Sequence, residues 1–290
     1  MTTLHHRVPA SVRNTGRRVA LAAGHLSAGL RTPPTFVVVG AQRCGTTSLF
    51  RALLSHPNIL RPVMHKGVNY FDVNWEKPWS WYLSHFPLTA HARRKAAPGR
   101  AGAGVFEASG YYLFHPHAPT RMTAALPEVK IVAMVRDPVE RAYSAYKHEF
   151  ARGFETETFE RAIALEETRI TPELRRMVSD PHYQSATYRH QAYRARGHYA
   201  EQLRVFVDLL GRDRVHVIES ERFFAEPMPV YGDLLRFLGE PVIAPATFGV
   251  FNARPGRPLA PALEAELRAH FAPHDQALAE LLGRRPAWMA

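Results

Sequence analysis

The sequence predicts an α/β fold in which a central parallel sheet of four or five strands carries helices on both faces. Three apolar runs rich in β-branched residues mark strands, at Phe36–Val39, Ile131–Val135 and Val215–Ile218. Each is too short for a helix and long enough for a buried strand. Helical spacing follows the first two runs: Leu49, Leu53 and Leu54 after one, and residues 138–148 after the other. The switch of period predicts strand-then-helix units. With 290 residues, 46% of them hydrophobic, and no Gly/Ser-rich linker, the chain can bury one large core.

Taken in order, residues 1–33 read as a flexible basic tail and residues 34–290 as a single domain. The tail carries Arg7, Arg13, Arg17, Arg18 and Arg31 and no acidic residue. Its mildly apolar stretch, Val19–Leu30, is broken by Gly24, His25, Ser27 and Gly29. That is too short and too polar for a transmembrane segment, and it makes a poor signal-peptide core. The tail reads first as loose chain, with weak contact to an anionic membrane surface as the alternative. The net charge of +11 implies an anionic ligand, an acidic polymer or a membrane surface without choosing among them. The one cysteine, Cys44, excludes an intramolecular disulfide and makes a reducing, cytoplasmic location the expectation.

Between the first strand and its helix lies Gly40-Ala41-Gln42-Arg43-Cys44-Gly45-Thr46-Thr47-Ser48. A glycine-rich turn entering a helix presents backbone N–H groups and the positive end of the helix dipole, which suits a phosphate. The G-x4-G spacing is that of the nucleoside triphosphatase loop, but Thr46 stands where that loop needs Lys. The cation comes earlier, at Arg43, and no apolar strand ending in Asp offers a magnesium partner. The fold is therefore P-loop-like, with a loop suited to less phosphate charge and no metal.

Gly40–Leu49 resembles the 5′-phosphosulfate loop of the sulfotransferases that use 3′-phosphoadenosine 5′-phosphosulfate (PAPS). Residues 130–146, KIVAMVRDPVERAYSAY, are similar to that family's 3′-phosphate motif. The residues themselves agree: Arg136 falls at a strand's carboxyl end, where open α/β sheets bind ligands, and Asp137-Pro138 opens a helix. The resemblance covers residues 34–290 and implies PAPS as co-substrate. It assigns the 5′-phosphosulfate to Gln42, Arg43, Cys44, Gly45, Thr46, Thr47 and Ser48, and the 3′-phosphate to Arg136 and Ser144. In the family a glycine-and-basic loop closes over that phosphate; Arg257 is the candidate here, beside Gly256, with Arg254 as the alternative.

The same resemblance makes His65–Asp72, HKGVNYFD, the acceptor-facing segment, with Lys66, Asn69 and Tyr70 as substrate-binding candidates joined by Tyr112. The family often has Lys-Glu-x-His there. Lys66 matches, but Gly67 replaces the Glu that serves as general base in the heparan-type branch, and Asn69 replaces the His. The base then falls to Glu107, which ends a strand, or to His65, whose side-chain type has an ordinary pKa near 6.5. Glu107 is favoured because a strand end fixes geometry better than a loop does. An aromatic cluster (Trp75, Trp79, Trp81, Tyr82 and Phe86) reads as packing before it reads as a sugar platform.

Further on, residues 90–104 read as a loop, and residues 120–126 as a helix. Residues 157–209 read as largely helical with breaks at Pro172 and Pro181. Two more helices are expected at 228–238 and 260–283. Arg196-Gly197-His198-Tyr199 resembles a family segment, with no chemistry assigned to His198. The sixteen histidines show no pair at metal-ligand spacing with a third ligand close by, so no metal is expected.

The expected reaction is sulfonyl transfer from PAPS to a hydroxyl or amine of an acceptor, a saccharide or glycoconjugate, releasing adenosine 3′,5′-bisphosphate. Arg43, Glu107 and His65 are the catalytic candidates. Arg43 keeps the charge of the family's Lys but cannot give up a proton, so it stabilises the leaving oxygen as a cation. A PAPS-binding protein that has lost catalysis and a P-loop kinase are the competing readings. No nucleic-acid partner is expected.

Overall fold

The computed structural model describes residues 24–63, 65–245, 248–249 and 259–289. Its elements run β1 (Phe36–Gly40), α1 (Thr46–Leu54), β2 (Ile59–Leu60), α2 (Trp79–Leu83), α3 (Thr89–Arg94), β3 (Gly104–Ala108) and α4 (Ala118–Ala125). They continue as β4 (Lys130–Val135), α5 (Pro138–Phe150), α6 (Phe159–Ser179), α7 (Ala186–His190), α8 (Tyr199–Leu210) and β5 (Val215–Glu219). Three helices close the described chain: α9 (Ser220–Ala225), α10 (Pro227–Leu238) and α11 (Pro261–Leu282).

The five strands form one parallel sheet in the order β2-β3-β1-β4-β5. A parallel sheet covered on both faces needs strands apolar throughout, and β1 and β4 are such runs, buried along almost their whole length. From β1 the chain moves out to β2, returns to β3 at β1's side, then crosses to β4 on the other side. The carboxyl end of β1 is therefore the switch point of the sheet, where a ligand crevice opens. Phe36 and Phe106 stack across the β1–β3 pair at 5.0 Å.

One strand is added and three local expectations change. Ile59–Leu60 pairs with β3; two residues carry no periodicity to detect. Residues 89–94 open the expected loop as helix α3. Helix α6 runs through Pro172 without a break. A proline there costs one backbone hydrogen bond, but Ile163, Ile170 and Met177 recur at seven-residue spacing, all buried, and hold both halves on one surface. The described end of the tail is docked: Ala28 is buried, Arg31 donates to the Phe86 carbonyl, and Thr32 pairs with Thr89 at 3.1 Å. Among the described residues no helix is long and apolar enough to cross a membrane.

Candidate active site

The loop after β1 turns on two left-handed residues, Arg43 (φ 71°) and Gly45 (φ 85°). A Cβ at Gly45 would also sit 3.1 Å from the Phe224 ring, so the turn needs glycine on both counts. Helix α1 starts at the next residue with no side chain capping it, which leaves its first turn aimed at the loop. Cys44 is buried against the Tyr199 hydroxyl, and burial pushes its thiol up to about 11. Its contribution is the backbone, held by Ser220 Oγ donating to the Cys44 carbonyl.

The two phosphate motifs meet. Arg43 Nε donates to Ser144 Oγ at 3.1 Å, joining residues 101 positions apart. Ser144 stands on α5, whose N-cap Asp137 accepts from the N–H groups of Val139 and Glu140. Glu140 and Ser144 lie one turn apart on α5, and Arg136, just before the helix, pairs with Glu140 at 3.1 Å. An exposed pair of this kind is worth only about 0.2–1 kcal/mol, so a phosphate can displace it. Arg254, Gly256 and Arg257 lie outside the described residues.

Lys66 is the residue whose role changes most. Its Nζ donates to Thr46 Oγ1 at 2.9 Å and to Thr47 Oγ1 at 3.3 Å, so it faces the phosphate loop. Burial pushes its ammonium down to about 8. A desolvated cation facing two hydroxyls at a helix start is arranged for an anion, and it restores from another segment the charge that Thr46 omits. The residues present therefore fit a phosphosulfate group.

Glu107 is corrected as a candidate base. It is fully buried, and both oxygens are occupied. Oε1 accepts from Tyr82 at 2.7 Å and Tyr112 at 3.1 Å; Oε2 accepts from the Val68 N–H and Ser109 Oγ, both at 2.7 Å. Burial still holds its pKa above the ordinary carboxylate value, against the pull of those donors. No face of it is open to an acceptor. Tyr112 and Tyr70 are corrected likewise: the Tyr112 hydroxyl accepts the Tyr70 N–H at 2.6 Å, and Tyr70 points its own hydroxyl at the Lys77 carbonyl. Both are buried within an aromatic cluster with Trp75, Trp79 and Tyr82, which is packing. Asn69 stays half-buried with φ 52°, and His65 is exposed beside Lys66.

Two features escape a sequence reading. Buried Arg196 donates to Gln42 Oε1 at 2.7 Å while its guanidinium covers the rings of Phe114 and Tyr111. Its segment carries the family resemblance, but only the fold shows that it braces the loop. His198, His270 and His274 come together, although no histidine pair stood out at ligand spacing. The i, i+4 pair on α11 was the signal available.

The Glu107 network makes one direct prediction. Glu107→Gln puts an amide donor among four donors and should lower unfolding stability by about 1–3 kcal/mol. A urea midpoint equal to that of the unsubstituted protein would refute the anchoring role.

The sulfotransferase domain model matches residues 33–247. A sulfotransferase structure from Alicyclobacillus acidocaldarius is 34% identical, with a TM-score of 0.66 over 89% of this chain and 100% of that one. The bifunctional heparan sulfate N-deacetylase/N-sulfotransferase of Drosophila melanogaster is 28% identical over 218 residues, 71% of this chain and 19% of its own length. The human N-deacetylase/N-sulfotransferase 3 is 33% identical over 121 residues, 40% of this chain and 13% of its own. The chain thus spans a fifth or less of these curated relatives. The phosphate loop, the parallel sheet and a match over most of the sequence converge: the chain belongs to the sulfotransferase domain family and is an enzyme of that class.

Proposed function

We propose that this enzyme transfers the sulfonyl group of PAPS to a hydroxyl or amine of a saccharide or glycoconjugate. The observation that carries the reading is the joined anion site, in which Lys66 bridges Thr46 and Thr47 while Arg43 holds Ser144. Bound PAPS supplies the activated sulfonyl group. Arg43, Lys66 and the first turn of α1 hold the phosphosulfate and neutralise charge that grows on the leaving side; Arg136 takes the 3′-phosphate. Lys66 therefore moves from substrate binding to charge stabilisation.

The general base falls to His65, which is exposed beside Lys66 and lies on the acceptor-facing segment. Support for a saccharide comes from a cavity of about 180 Å³ lined by Val73, Tyr111, His115, Gln184 and Arg189 among others. Its mixed lining of aromatic, amide, imidazole and guanidinium side chains suits a polyhydroxylated ligand. The Arg189 carbonyl accepts from Arg196, which holds Gln42, so the cavity adjoins the loop. The names of the curated relatives support a sulfated glycan as the acceptor class.

Nucleotide choice tests the reading. Arg136→Ala should weaken adenosine 3′,5′-bisphosphate by about tenfold to a hundredfold and leave AMP nearly unchanged, by titration calorimetry. Equal losses for both would overturn the 3′-phosphate assignment. A second test uses pH. Anion binding raises the pKa of Lys66 above its free value of about 8. Affinity that depends on Lys66 is therefore complete below about pH 8 and falls as pH rises through and above it. Lys66→Arg should flatten that fall, and Lys66→Ala should cut turnover by about a hundredfold or more. A bisphosphate affinity that stays level across this range in the unsubstituted enzyme would remove Lys66 from the anion site. Finally, His65→Ala should lower acceptor-dependent turnover by about a hundredfold while keeping bisphosphate affinity, as loss of a general base does. Unchanged turnover would exclude it.

A further inference from the structure

We propose that His198, His270 and His274 form a binding site for one divalent transition-metal ion of the zinc class. His198 stands at the start of α8, and His270 and His274 lie one turn apart on α11. Each offers a ring nitrogen, and the three atoms lie within 4.8 Å of one another. The Nε2 atoms of His198 and His270 are 3.0 Å apart. Two imidazoles bound tetrahedrally to zinc at about 2.0–2.1 Å hold their nitrogens roughly 3.3 Å apart. The pair is thus already at ligand separation, and a ring nitrogen of His274 lies within 4.8 Å of both; its ring, stacked on His198 at 3.6 Å, must turn edge-on to ligate.

The surroundings favour ligation. Glu201 Oε1 lies 3.2 Å from His274 Nδ1, a carboxylate placed as one is behind a metal-bound histidine. All three are partly exposed, which gives an ion access and leaves room for water as the remaining ligand. Charges nearby are mixed: Arg194 and Arg141 oppose a cation, while Glu201 and Glu266 favour it. Three imidazoles with no thiolate suit Zn²⁺, Co²⁺, Ni²⁺ or Cu²⁺ and not Mg²⁺ or Ca²⁺. The site would tie α11 to the start of α8, where Tyr199 donates to the Arg136 carbonyl at 2.9 Å. Its role is structural support of the nucleotide side.

The test uses full-length, chelator-treated protein titrated with Zn²⁺ alone, and with Co²⁺ as a spectroscopic probe. One equivalent should bind with micromolar affinity or better, raise the melting temperature, and give the visible Co²⁺ absorption of a low-coordinate nitrogen site. Mg²⁺ should do none of this. His270→Ala and, separately, His274→Gln should each abolish the tight equivalent. Circular dichroism and adenosine 3′,5′-bisphosphate binding report that each variant is folded. Absence of tight binding, or tight binding that persists in both folded variants, would overturn the proposal and leave a histidine pair joined by a hydrogen bond.

Discussion

The carboxylate of Glu107 is the constraint on which the acceptor side depends. It sits at the end of β3 with no exposure and accepts four hydrogen bonds, one of them from the backbone of Val68. An uncompensated buried carboxylate would be intolerable, so the four donors are fixed as firmly as the strand. Through them the segment after His65 is drawn against β3, and the Ala108 N–H donates to the Lys66 carbonyl at 2.9 Å. Backbone placement at Lys66 and Val68 leaves the Lys66 ammonium pointing into the loop after β1. A carboxylate buried on β3 thereby positions the Lys66 ammonium against Thr46 and Thr47.

The nucleotide side is organised differently, through contacts that span the sheet. Arg43 reaches Ser144, Gln42 accepts from Arg196, and Tyr199 reaches both Cys44 and the Arg136 carbonyl. Each links the loop after β1 to elements on the β4 side of the switch point. The loop is also held at its base, where the Ala41 N–H donates to the Met134 carbonyl at 2.7 Å. Anion sites built from backbone and left-handed turns need this bracing, because their geometry is not stored in any single side chain.

What the sequence disclosed follows from how local each signal is. The strands β1, β4 and β5 and the loop at residues 40–48 were legible because apolar runs and glycine spacing are written in consecutive residues. Arg43 and Ser144 were each named through the family pattern, but their pairing was not, since no spacing rule connects residues 101 positions apart. Glu107 misled for a physical reason. A carboxylate at a strand end beside a cleft and one turned into the core have the same sequence, and only the positions of Tyr82, Ser109 and Tyr112 separate them. Lys66 was expected on the acceptor segment alone, because the side-chain reach to Thr46 and Thr47 depends on the path of the whole segment.

That path also accounts for the departure at Gly67. A Cβ there would lie 2.5 Å from the Ala108 carbonyl and 2.5 Å from Ser109 Oγ, a contact no larger residue can make without moving β3 or the segment. Ser109 cannot easily yield, since its hydroxyl already donates to Glu107 and accepts the Asn69 N–H at 3.0 Å. Glycine is thus the residue that lets the segment lie close enough for Glu107 to accept from Val68. Restoring the glutamate found in the family's heparan-type branch would not simply supply a base; it would push apart the contact that aims Lys66. Glycine at residue 67 and the buried carboxylate at residue 107 belong to one arrangement, a close strand-to-segment approach that sets a desolvated lysine against Thr46 and Thr47.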